Sequence, residues 1–78
     1  LLTPRRFLEA MLERMRQEHE AAGHNEPFVR PGYPRLAKVL MDAGYCTPKG
    51  RGRWWPAQVQ WLLEGRFDRY YSARPVPL

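Results

Sequence analysis

The stretch Leu36 to Leu63, LAKVLMDAGYCTPKGRGRWWPAQVQWLL, decides the fold. Leu36, Ala37 and Leu40 fall at i, i+1 and i+4, so they share one face of a short amphipathic helix. Gly44 stops that helix, because glycine takes the left-handed position after a helix end without a Cβ penalty. A second helix is expected from Pro56, with Val59, Leu62 and Leu63 on its inner face. Between them runs TPKGRGR, which carries three cations and two glycines. Two short helices joined through a basic loop read as a helix-turn-helix variant.

The loop Thr47 to Trp55 is expected to form a tight turn or a small hairpin, with Thr47 bonding locally to hold it. Gly50 and Gly52 let the backbone approach a surface closely, and Lys49, Arg51 and Arg53 alternate with them. Cations on a glycine-rich backbone suit phosphate oxygens, which side chains and N–H groups can both reach. The alternative is a solvated loop. The place of Trp55 stays open.

On the helix that follows, Gln58, Gln60, Trp61 and Glu64 are expected to face outward. Glutamine can bond adenine N6 and N7 together, and residues near a recognition helix's N-terminus meet base edges. Gln58 and Gln60 are therefore candidate base readers, against the plainer reading of a soluble polar face. Trp61 is a candidate contact if exposed and a core residue if not. Arg66 and Arg69, beyond the helix, could reach phosphates on the far side of a groove. Phe67 continues the inner face, and Tyr70 and Tyr71 either complete the core or stack on a partner.

Moving outward towards the N-terminus, GHNEPFVRPGYP holds three prolines and two glycines and reads as an ordered connector. Phe28 and Val29 are expected to tuck under it, and Pro34 to open the helix after it. Before it lies the longest expected helix, capped by Thr3, opened by Pro4 and ended by Gly23. Phe7, Leu8, Met11, Leu12, Met15, His19 and Ala22 recur at a helical period. That stripe is expected to be core, with a homodimer seam as the alternative. Arg5–Glu9, Arg14–Glu18 and Arg16–Glu20 stand at the spacing of intrahelical ion pairs. At the other end ARPVPL has two prolines and no helical pattern, so 72–78 is expected to be a tail or arm.

The 78 residues are expected to form a single small domain over 1–78, made of an N-terminal helix in 1–23, the helix-turn-helix-like unit in 33–67 and the tail. The net charge is +5, and residues 1–22 contribute none of it, since their four arginines face four glutamates. The excess collects in 23–78, which points to a polyanion partner; ordinary solubility is the bland reading. One cysteine forbids an internal disulfide and fits a reducing compartment. No apolar run reaches the roughly 20 residues of a membrane span, and no secretory signal is read. The first residue is Leu rather than Met, so a piece of a longer protein is expected. Enzyme readings fail on inventory. His19, His24 and Cys46 lack metal-ligand spacing, no glycine pattern matches a nucleotide loop, and Ser72 lies in the tail. Cys46 reads as a small, partly buried residue rather than a nucleophile. No catalytic residue, metal or cofactor is expected.

The same central stretch resembles the DNA-binding "recombinase" domain of the large serine recombinases. That family's pattern runs Ile-Ala-x-x-Leu-Asn, two residues, Gly-Ile-x-Thr-Pro-x-Gly, a short loop, Trp, then four residues to Val-x-x-Ile-Leu-x-Asn. Leu36, Ala37 and Leu40 match its first helix; Gly44, Tyr45, Thr47, Pro48 and Gly50 its turn; Trp54, Val59, Leu62 and Leu63 its last helix. The match covers about a third of the chain. Met41 stands where the family has Asn, Gly65 where it has a second Asn, and Asp68 near its Tyr. The family's catalytic serine domain has no counterpart. The resemblance implies an all-α module of three main helices that binds double-stranded DNA, not recombination activity, and it places Trp54 in the core against Leu36 and Leu63. It further implies a regulatory or accessory factor of a bacterial or mobile element, cytoplasmic and nucleoid-associated. The alternatives are a protein-interaction module (inhibitor or adaptor) on the same fold and RNA binding, since basic loops with aromatics also suit single strands.

Overall fold

The computed structural model describes residues 3–23 and 25–71; His24 and the tail expected at 72–78 lie outside the described residues. All regular structure among them is helical: α1 (Pro4–Ala21), α2 (Tyr33–Asp42), α3 (Pro56–Leu63) and the single turn α4 (Asp68–Tyr71). No hairpin strands form between α2 and α3, so of the two expectations for that loop the turn holds.

Local chemistry sets the helix ends. Thr3 caps α1 by accepting from the Arg6 N–H at 3.2 Å, with Pro4 at the first helical position. After α2, Gly44 sits at φ +84°; its N–H reaches Met41 O at 3.1 Å and the Tyr45 N–H reaches Leu40 O at 3.1 Å. This double closure satisfies two carbonyls that the helix end would leave bare. Gly65 repeats it after α3 at φ +86°, with its N–H on Leu62 O and the Arg66 N–H on Trp61 O. An alanine at either glycine would pay about 1–2 kcal/mol for the left-handed backbone.

α3 starts without a conventional cap. Its N-cap is Trp55, whose indole has no acceptor, and the side chain of Gln58 turns back instead to take the Trp55 N–H at 2.8 Å. Only the reciprocal half of a capping box is therefore present.

α1, α2 and α3 pack around one core of Leu8, Leu36, Ala37, Leu40, Trp54, Val59 and Leu62, all at 2% exposure or less. Phe7, Met11, Leu12, Leu63, Phe67 and Tyr71 lie half-buried on its rim. Trp54 is the largest of the core side chains, and its indole N–H donates to Tyr45 O at 3.0 Å. One ring thus fills the space between the helices and ties the turn to α3.

Two sequence expectations are corrected by burial. Val29 does not tuck under the connector but stands 84% exposed, while Phe28 lies half-buried against His19 at 5.7 Å between ring centroids. Cys46 is exposed rather than partly buried. On α1 the ion pairs also differ: Arg5 reaches Glu9, and Arg16 gathers both Glu13 and Glu20, while Arg14 and Glu18 do not pair. The Arg16 guanidinium holds the Glu13 carboxyl below its ordinary range. Arg5 also bonds Asp68 at 2.6 Å, joining α1 to α4 across 63 residues of sequence.

Tyr71 anchors α4 to the turn, its hydroxyl donating to Cys46 O at 2.7 Å. Burial, and after it the neighbouring Cys46, pushes this phenol up to about 12. The raised value favours the neutral form in the folded chain. Its stabilising contribution is whole below pH ~10 and is lost as pH rises through about 12. An alkaline titration of tyrosinate absorbance should show one late component among the four tyrosines, and Tyr71→Phe should remove it.

Candidate nucleic-acid interface

The basic loop is a locked turn. The Thr47 N–H donates to Arg51 O at 2.7 Å, the Arg51 N–H to Thr47 Oγ1 at 3.1 Å, and the Gly50 N–H to Thr47 O at 2.8 Å. Gly50 takes φ +82°, which lets the chain reverse. Thr47 itself is 5% exposed, so its hydroxyl is a buried acceptor holding an otherwise free N–H. Lys49, Arg51 and Arg53 leave this frame as exposed side chains.

Their electrostatic situation differs from that of three arginines, though Arg6, Arg14, Arg30, Arg35, Lys38 and Arg69 are likewise without an ion pair among the described residues. Arg5, Arg16 and Arg66 are paired with Glu9 and Asp68, with Glu13 and Glu20, and with Glu64 respectively. Among the described residues Lys49, Arg51 and Arg53 form no ion pair. Arg53 lies over the ring of Trp55 with its guanidinium carbon 4.4 Å from the centroid. Trp55 is 54% exposed, so this is a cation–π pair on the surface next to the start of α3. Sequence reasoning left Trp55 open. The signal was available, since Pro56 forces extended backbone on the residue before it, and residues two apart on an extended chain share a side.

The two glutamines do not point together. Residues two apart on a helix are separated by about 200°. Gln58 lies on the flank of α3 that faces the turn, in a hollow of about 240 Å³ shared with Thr47, Pro48, Lys49, Trp61, Phe67 and Tyr70. Gln60 lies on the outer surface, where its amide donates to Glu64 at 3.2 Å. The cap also changes what Gln58 offers. Its oxygen is committed to the Trp55 N–H, and its amide nitrogen has no partner among the described residues. The oxygen keeps a second lone pair, so contact with adenine through both amide atoms is restricted to the one orientation that the cap sets. Gln58→Ala should cost about 0.5–1.5 kcal/mol of stability through the lost cap bond, while Gln60→Ala, losing only an exposed contact, should leave the melting curve nearly unmoved.

Trp61 is 38% exposed and meets Phe67 edge to face at 6.4 Å; Phe67 meets Tyr70 in the same way at 6.2 Å. These three rings form the apolar wall of the hollow. Arg69 lines a larger, adjoining hollow of about 730 Å³ with Tyr71, Cys46 and the start of α1; Thr47, Pro48 and Tyr70 border both. Arg66 is held by Glu64 at 2.9 Å. Lys49, Gln58 and Trp61 therefore converge, Arg69 stands next to them, Arg51 and Arg53 extend from the same turn, and Gln60 and Arg66 lie with Glu64.

Among the described residues no group of three His, Cys, Asp or Glu side chains could hold a metal ion, and no helix is long and apolar enough to cross a membrane. Set against known protein families, curated proteins and solved structures, the chain matches none of them.

Proposed function

We propose that this chain is a double-stranded DNA-binding domain of the helix-turn-helix kind, similar to the DNA-binding module of large serine recombinases. The observation that carries the reading is the set of cations Lys49, Arg51 and Arg53, exposed, without carboxylate partners, on a locked turn that leads directly into α3. A rigid basic turn at the start of a surface helix places positive charge where a duplex offers two phosphate strands. Gly65 adds support. It stands where that family has Asn, at a left-handed backbone position that Asn also tolerates. A bacterial or mobile-element factor acting at the nucleoid, pairing through α1, is the setting that goes with this reading.

The exposed Trp55 and Trp61 favour a second reading, a protein-interaction module, because exposed aromatics also anchor protein partners. One experiment separates them. Fluorescence anisotropy of labelled duplex DNA, single-stranded DNA and duplex RNA is followed across a salt series. The proposed function expects duplex DNA to bind best, with log K falling linearly in log salt. Equal or better binding of single strands would point to RNA-type recognition, and no binding of any of them to a protein partner.

A further inference from the structure

We infer that the hollow between the turn and α3 reads the major-groove edge of thymine, with Gln58 as donor and Trp61 as methyl wall. The inference rests on the duplex reading above and names the base that this site prefers. Three features lead to it. The Gln58 oxygen accepts the Trp55 N–H, which fixes the amide and leaves Nε2 as an unpartnered donor. Lys49 lines the same hollow and brings a second set of donors with no ion pair of its own. The wall beside Gln58 is aromatic, built from Trp61, Phe67 and Tyr70 in edge-to-face contact.

A donor facing an apolar wall selects among the four base edges. Cytosine shows an N–H₂ donor, which would oppose the Gln58 amide nitrogen, and adenine has an N7 acceptor but no apolar group to set against the rings. Guanine shows two acceptors, O6 and N7, but has no apolar group to set against the rings. Thymine shows the O4 acceptor beside the C5 methyl, the pair of features this hollow offers to match. Lys49, exposed and without an ion pair, is free for the neighbouring phosphate.

The test starts from one duplex site obtained by selection from random DNA. Each thymine is replaced in turn by deoxyuridine, which removes only the methyl. One position should lose affinity by about fourfold, the equivalent of one buried methyl group. In Trp61→Ala that thymine-to-uracil ratio should fall to about one. Trp61 is partly exposed and outside the core, so the variant should still melt cooperatively, at a temperature lowered only by the lost contact with Phe67. Gln58→Glu supplies an independent arm. Its carboxylate still accepts from the Trp55 N–H but offers no donor, so preference at that position should move from thymine to cytosine, whose N4 donates. Base preference is read as a ratio, which a general loss from the added negative charge does not mimic. The inference is overturned if no thymine is sensitive to its methyl, if the sensitive one stays sensitive in Trp61→Ala, or if selection returns guanine there. It is equally overturned if Gln58→Glu keeps the wild-type preference. Failure to bind any duplex shows before a thymine is replaced and takes the proposed function down with it.

Discussion

Trp54→Ala is expected to destabilise the domain by about 3–5 kcal/mol, enough to leave much of the chain unfolded at room temperature. The ring is 2% exposed and sits among Leu36, Leu40, Val59 and Leu62, so its removal opens a cavity that short helices cannot collapse to fill. It also strands Tyr45 O, which accepts the indole N–H at 3.0 Å and lies in the segment that closes α2. Thermal melting followed by circular dichroism measures the loss. Trp54→Phe separates the two contributions, because it keeps most of the apolar volume and deletes the hydrogen bond; about 1–2 kcal/mol should be lost there. An unchanged melting temperature in Trp54→Ala would mean that the three helices do not depend on this ring, and the packing described for it would be wrong.

The second large effect concerns the turn. Changing Lys49, Arg51 and Arg53 together to glutamine should flatten the slope of log K against log salt by about 2.7, if each cation neutralises one phosphate. Carried from 1 M down to 0.1 M salt, that slope change is a loss of roughly 500-fold. Fold is not at risk in this variant, since the turn is held by Thr47 and by the backbone at Gly50 and Arg51, none of which needs a charged side chain. The control is Arg5 and Arg16 on α1, each already paired with two carboxylates. Neutralising those should leave the salt slope alone. A triple variant with wild-type slope would remove the turn from the DNA, and with it the observation on which the function is proposed.

What was legible in the sequence is what is decided within a few residues. Thr3 and Pro4 start α1, Pro56 starts α3, and Gly23 and Gly44 end their helices, because capping and left-handed backbone are local matters; the stop at Gly65, before Phe67, is not among the sequence expectations. The inner faces of α2 and α3 follow from spacing alone, while the core place of Trp54 comes from the resemblance. The tertiary structure decided what depends on atoms far along the chain or on one particular hydrogen bond. Arg5 reaches Asp68 as well as Glu9 because α4 folds back beside α1. Val29 is exposed although it is apolar, and Cys46 is exposed although it lies between Tyr45 and Thr47, since pattern gives a face but not the neighbour that covers it. Gln58 and Gln60 look equivalent as letters, yet one becomes a cap inside an aromatic hollow and the other an exposed partner of Glu64. A helix period sets the angle between them, but only the packed turn brings Lys49, Phe67 and Tyr70 together with Gln58 around one hollow.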